Sequence, residues 1–251
     1  MKKGIFLLCF SLIAIVFKLS AQNEISIDST YNSSDTNNFK GFSIELLASP
    51  LFYNNMYTKT TLTRYYGTAP EEMSKSKIGQ IFGFKAGYIN NNWLYQSGIL
   101  YSSFKEEFST VDTNYLNSDT ILTNISKTNT YQYIYIPLNI GYVSNYKKFT
   151  FIISAGVNLG FNIYNEGLSY DFSIKKQIPL YKNYNWFEFQ YSLSATIKYR
   201  LTDQLNLIAE PFYNSGMNSL WKESPIFAWK RIQYGCYIGI EFLIRDKEYT
   251  E

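Results

Sequence analysis

The chain has 251 residues, 23 Lys and Arg against 20 Asp and Glu, and no histidine. The missing histidine excludes Ser-His triads, His-based proton transfer and most zinc sites. Aromatics make up 19% of the sequence and charged residues 17%, against a usual value of about 25% charged.

The N-terminus reads as a secretory leader over residues 1–21. Lys2 and Lys3 are followed by the apolar run from Gly4 to Phe17, and Leu19-Ser20-Ala21 offers a cleavage site before Gln22. The run is too short to span a bilayer comfortably as a helix, which takes about 20 residues. Its removal takes Lys2, Lys3 and Lys18 and no acid, so the precursor's +3 charge disappears. The mature chain is then neutral, and nothing in its charge suggests nucleic acid. Cys9 leaves with the leader. Cys236 is then alone, is not expected to form an intramolecular disulfide, and reads as a small apolar filler.

Residues 22–40 form a polar lead rich in Asn, Ser, Thr and Asp, expected to be loosely attached. From Gly41 the sequence alternates with period two, and eight strands are predicted. They cover residues 41–49, 78–89, 93–104, 131–143, 149–163, 186–199, 205–213 and 230–244. The fifth is the most regular: Phe149, Phe151, Ile153, Ala155, Val157 and Leu159 share one face, and Thr150, Ser154, Gly156 and Asn158 the other, with Ile152 out of pattern. The sixth sets Phe187, Phe189 and Tyr191 against Glu188, Gln190 and Ser192.

The connections alternate in length. Residues 90–92, 144–148 and 200–204 are short turns; 50–77, 105–130, 164–185 and 214–229 are long polar loops. Three short turns and four long loops predict an all-β, eight-stranded antiparallel up-and-down transmembrane β-barrel over residues 41–244, with short turns and both termini periplasmic and long loops extracellular. Residues 245–251 are left as a tail. A secreted, soluble lipocalin-like binding barrel has the same strand count turned inside out. Against it stand a polar face of Gly, Ser, Asn and Gln with few charges, and aromatics gathered near both strand ends of the other face.

Several strand sequences resemble the PorT-like outer-membrane barrels of Gram-negative bacteria. The stretch Tyr133-Ile-Tyr-Ile-Pro-Leu-Asn-Ile-Gly-Tyr142 carries an aliphatic-Pro-aliphatic step. Ala155-Gly-Val-Asn-Leu-Gly160, Glu210-Pro-Phe-Tyr213 and Gly239-Ile-Glu-Phe-Leu-Ile244 carry the rest of the likeness. It spans residues 41–244. It implies an outer-membrane barrel and supplies no catalytic motif.

No catalytic, cofactor-binding or metal-binding residues are assigned. Glu71-Glu72 and Glu106-Glu107 are adjacent pairs, and neighbours on an extended chain point apart. Phosphate-binding loops and Cys/His metal spacings are absent. The one constellation lies on the inward face: Glu45, Lys85, Glu210 and Glu241, each three to five residues from the short-turn end of its strand and on neighbouring strands of a closed barrel. It is expected to be a structural ion-pair cluster in the lumen, with Lys85 the base among three acids. The reading is therefore a non-enzymatic barrel acting in surface binding or as an accessory part of an envelope assembly, in contact with outer-membrane lipid and lipopolysaccharide and possibly an envelope protein, with a small-solute channel as the alternative.

Overall fold

The computed structural model describes residues 41–59, 74–116, 119–171, 176–179, 184–220 and 227–245. The expected leader and polar lead, and the tail beyond Arg245, lie outside the described residues. Eight long strands dominate: β1 (Gly41–Lys59), β2 (Gly79–Asn90), β3 (Trp93–Leu116), β4 (Asp119–Tyr146), β5 (Phe149–Glu166), β6 (Phe187–Arg200), β7 (Leu205–Gly216) and β8 (Phe227–Arg245). Every one pairs antiparallel with its neighbour in sequence, and β1 pairs with β8 from Gly41↔Arg245 to Lys59↔Phe227. The sheet therefore closes on itself as an eight-stranded up-and-down barrel with no free wall edge.

The short turns form where the sequence placed them. Asn91 and Lys147 adopt left-handed backbone at φ 55° and 53°, which lets two residues reverse the chain between Asn90 and Trp93 and between Tyr146 and Phe149. At the other end the strands run further than expected. β1 continues ten residues beyond Ser49, through Pro50, which sits where the ladder to β8 skips from Ala48↔Ile238 to Leu51↔Gly235, a break that suits a residue with no N–H. The expected loop 105–130 is instead a continuation of β3 and β4, paired from Lys105↔Thr130 to Leu116↔Asp119. The expected loop 164–185 contains a small hairpin, Leu168–Asp171 against Lys176–Pro179. Composition misled here: Asn, Ser and Thr suit loops, yet a run alternating them with Val, Ile and Leu also suits a solvated ribbon.

The wall is apolar outside and polar inside. Phe42, Ile44, Leu46, Ile153, Leu193 and Ile238 are each more than 40% exposed. Aromatic pairs ring both ends of this face. Phe42–Tyr88, Trp93–Tyr142 and Phe149–Tyr199 lie at the short-turn end, at centroid distances of 4.9, 5.7 and 5.2 Å. Phe52–Tyr234 and Phe161–Phe187 lie toward the long-loop end, at 5.8 and 5.5 Å. Apolar surface left in water carries a cost of about 25 cal/mol per Å², so an outer face of this kind fits hydrocarbon, with rings at its two borders. Among the described residues no helix is long and apolar enough to cross a membrane.

Candidate functional site: a filled, charged lumen

The inward positions build three layers. At the short-turn end Ile89, Leu94, Val143 and Ile152 make a small apolar floor on β2 to β5. This explains Ile152, the residue that broke the alternation of β5: it faces inward and packs there, 2% exposed.

Above the floor lies an ion network. Glu45 and Glu241 are directly opposite on β1 and β8, and Glu45 is directly opposite Lys85 on β2. Lys85 nevertheless turns to Glu210, Nζ to Oε1 2.7 Å, with its ammonium 4.9 Å from the Tyr237 ring centre. Glu45 and Glu241 are held by Lys198 of β6, whose Nζ lies 2.7 Å from Oε1 of each. Gln96 donates to the other Glu45 oxygen at 2.9 Å, and Asn206 to the other Glu241 oxygen at 2.7 Å. All five charged groups are buried.

The four residues expected together thus share one layer, with a correction: Lys85 is not the sole base, and its ion pair is with Glu210. Lys198 was missed because it sits two residues from the end of β6, below the height assigned to the acids. Height by residue count ignores strand tilt and the reach of a four-carbon stem, which carries Nζ several ångströms from its Cα. The recoverable signal was its place on the polar face of β6.

The third layer, toward the long loops, surrounds Arg231 of β8. Its Nη1 lies 3.0 Å from Glu188 Oε2, and its Nη2 donates to the Tyr184 hydroxyl. The guanidinium stacks on Phe104 at 4.3 Å, with Tyr133 and Tyr131 at 5.0 and 5.5 Å. Tyr135 donates to Glu188 Oε2 at 2.9 Å, Tyr133 to Tyr184 at 2.9 Å, and Tyr131 to Glu106 at 2.8 Å. Large rings need small neighbours: a Cβ on Gly160 would lie 2.5 Å from the Tyr135 ring. Buried charge this far from water persists only when paired and hydrogen-bonded, and Arg231 is held by both an acid and stacked rings.

Among the described residues, two connections lie above this layer. Tyr184 and Leu220 are buried in the same apolar cluster as Phe104 and Tyr133. Asn185 N–H donates to Leu220 O and its side chain to Ser219 O, both at 2.7 Å. Asn218 accepts from Phe189 N–H at 2.7 Å and donates to Phe187 O at 2.9 Å. Two connections are thereby laced together over the lumen.

Among the described residues no group of three or more His, Cys, Asp or Glu is arranged to hold a metal. Among the described residues, the lumen carboxylates of Glu45, Glu106, Glu188, Glu210 and Glu241 each accept from a Lys, an Arg or a Tyr.

No family model matches the sequence, and no curated protein matches it. Solved structures are similar to the chain at low identity. Neisserial surface protein A is 12% identical, with 80% of this chain and 96% of that one covered and a TM-score of 0.45. OprG, an outer membrane protein from Pseudomonas aeruginosa, is 9% identical, with 83% and 98% covered and a TM-score of 0.46. The outer membrane protease OmpT from Escherichia coli is 8% identical, with 88% and 99% covered and a TM-score of 0.47. The class of the protein follows from its own geometry. It is a closed eight-stranded antiparallel barrel with an apolar exterior and a buried, charged interior.

Proposed function

We propose that this is a non-enzymatic outer-membrane barrel whose specificity lies outside the wall, in surface binding or as an accessory component of an envelope assembly. The observation that carries it is the combination of a lumen filled from floor to mouth with strands that continue past the wall at one end only. Lipid and lipopolysaccharide contact the apolar face in this reading, the termini lie in the periplasm, and the extended strands lie outside the cell. The PorT-like strand patterns support the same class.

The channel reading is disfavoured by the blocked path, since Tyr133, Gln190 and Gln233 have no exposure at all. A lipocalin-like soluble barrel is disfavoured by the outward Phe and Ile faces. The test is fractionation of the native envelope, with external protease applied to intact cells. The protein is expected in the outer membrane, cut only at the long-loop end. Recovery as a soluble periplasmic protein would overturn the membrane reading. Crosslinking in intact cells that returns neither a protein partner nor a surface ligand would count against the binding role.

A further inference from the structure

β3 and β4 leave the wall together and pair for twelve further residues each, from Lys105↔Thr130 to Leu116↔Asp119. Among the described residues, the wall supports only the base of this arm. Ser74–Ser76 pairs with Glu106 to Phe108 on the β3 side, and on the β4 side the ladder to β5 ends at Thr130↔Glu166. Beyond those points no described strand pairs with either edge. A two-stranded ribbon is marginal in water, and a bare edge presents unpaired N–H and C=O groups to another chain.

The two edges are not equivalent in sequence. Residues 109–116 of β3 carry a single charge, Asp112. Residues 119–127 of β4 read Asp-Thr-Ile-Leu-Thr-Asn-Ile-Ser-Lys, with opposite charges at the two ends and the β-branched Thr120, Ile121, Thr123 and Ile125 among the residues between. We propose that this β4 edge is a self-docking surface: two copies pair antiparallel about Thr123, each Asp119 opposite the partner's Lys127. The same register sets Ile121 opposite the partner's Ile125 and Thr120 opposite the partner's Ser126. Opposite charges and β-branched residues directly across an antiparallel pair stabilise it, and a strand that is its own complement gives the isologous contact of a two-fold dimer. Two arms joined this way run in opposite directions. Since each continues the strands of its own wall, the two barrels lie at opposite ends of the joined ribbon. The ligand of the surface-binding reading, on which this inference rests, is then a second copy of this chain on a facing membrane.

The experiment uses the full mature chain, refolded in detergent and in phosphatidylcholine vesicles, with Asp119→Lys and Lys127→Glu as separate variants. Both positions lie beyond the wall, and heat-modifiable gel mobility should show all barrels folded. The unaltered chain should dimerise in detergent and tether vesicles. Each variant alone places like charges opposite one another twice, and should weaken association by about tenfold. An equal mixture of the two restores both opposite-charge contacts, so vesicles carrying one should tether vesicles carrying the other. A monomeric unaltered chain, an unaffected Lys127→Glu, or a mixture no better than its parts would each overturn the inference. So would capture of other envelope proteins without self-association. Failure to insert into vesicles would instead indict the membrane reading, and the detergent measurement would still decide the dimer.

Discussion

Glu45 and Glu241 sit directly opposite one another on hydrogen-bonded strands, where two like charges repel, and Lys198 Nζ lies 2.7 Å from a carboxylate oxygen of each. The lysine comes 153 residues after Glu45, from another part of the wall. It makes closure of the barrel between its first and last strands compatible with their buried acids.

Lys198→Met should therefore be among the most damaging single changes in the lumen. It leaves two facing acids without their shared cation, and breaking a buried pair costs about 3–5 kcal/mol. Lys148→Met, in an exposed turn, should cost under about 0.5 kcal/mol. Urea unfolding of the refolded barrel in detergent compares them. Equal losses would mean that Lys198 does not point into the lumen.

The Lys85–Glu210 contact should behave as a pair. Lys85→Met alone strands Glu210, whereas Lys85→Met combined with Glu210→Leu removes both charges and should recover about 2 kcal/mol or more of the loss. A double-mutant cycle by the same unfolding assay measures the coupling. Strict additivity of the two changes would show that Lys85 draws its counter-charge elsewhere.

Gly160→Ala should cost about 1–3 kcal/mol through overpacking, because the new methyl group would lie 2.5 Å from the Tyr135 ring. Tyr135→Leu in the same chain should relieve part of that clash, though it also removes the hydroxyl that donates to Glu188. Thermal unfolding of Gly160→Ala, Tyr135→Leu and the double variant tests this. An undisturbed Gly160→Ala protein would place the ring away from the wall.

Planar-bilayer recordings should find no steady conductance for the folded protein, because the lumen is closed by three separate layers. Arg231→Met should loosen the upper layer, where Tyr184 and Glu188 depend on the guanidinium. It should still not conduct, because Lys85, Lys198 and the floor of Ile89, Leu94, Val143 and Ile152 remain. A stable pore in the unaltered protein would show that the packing does not hold in a bilayer.

The sequence by itself determined the strand count, the three short turns and which face of each strand is polar, because a side-chain period of two survives any tertiary arrangement. Glu188, Lys198 and Arg231 were already legible as inward residues in this way. Only the tertiary structure decided who meets whom. Lys198 joins Glu45 and Glu241, and Arg231 joins Glu188 under Tyr184, through contacts across the barrel whose heights depend on strand tilt and side-chain reach. Nor could composition tell a polar loop from the arm of β3 and β4, since Ser, Thr and Asn are at home in both. What separates them is the register of one strand against another, and that exists only once the chain has folded.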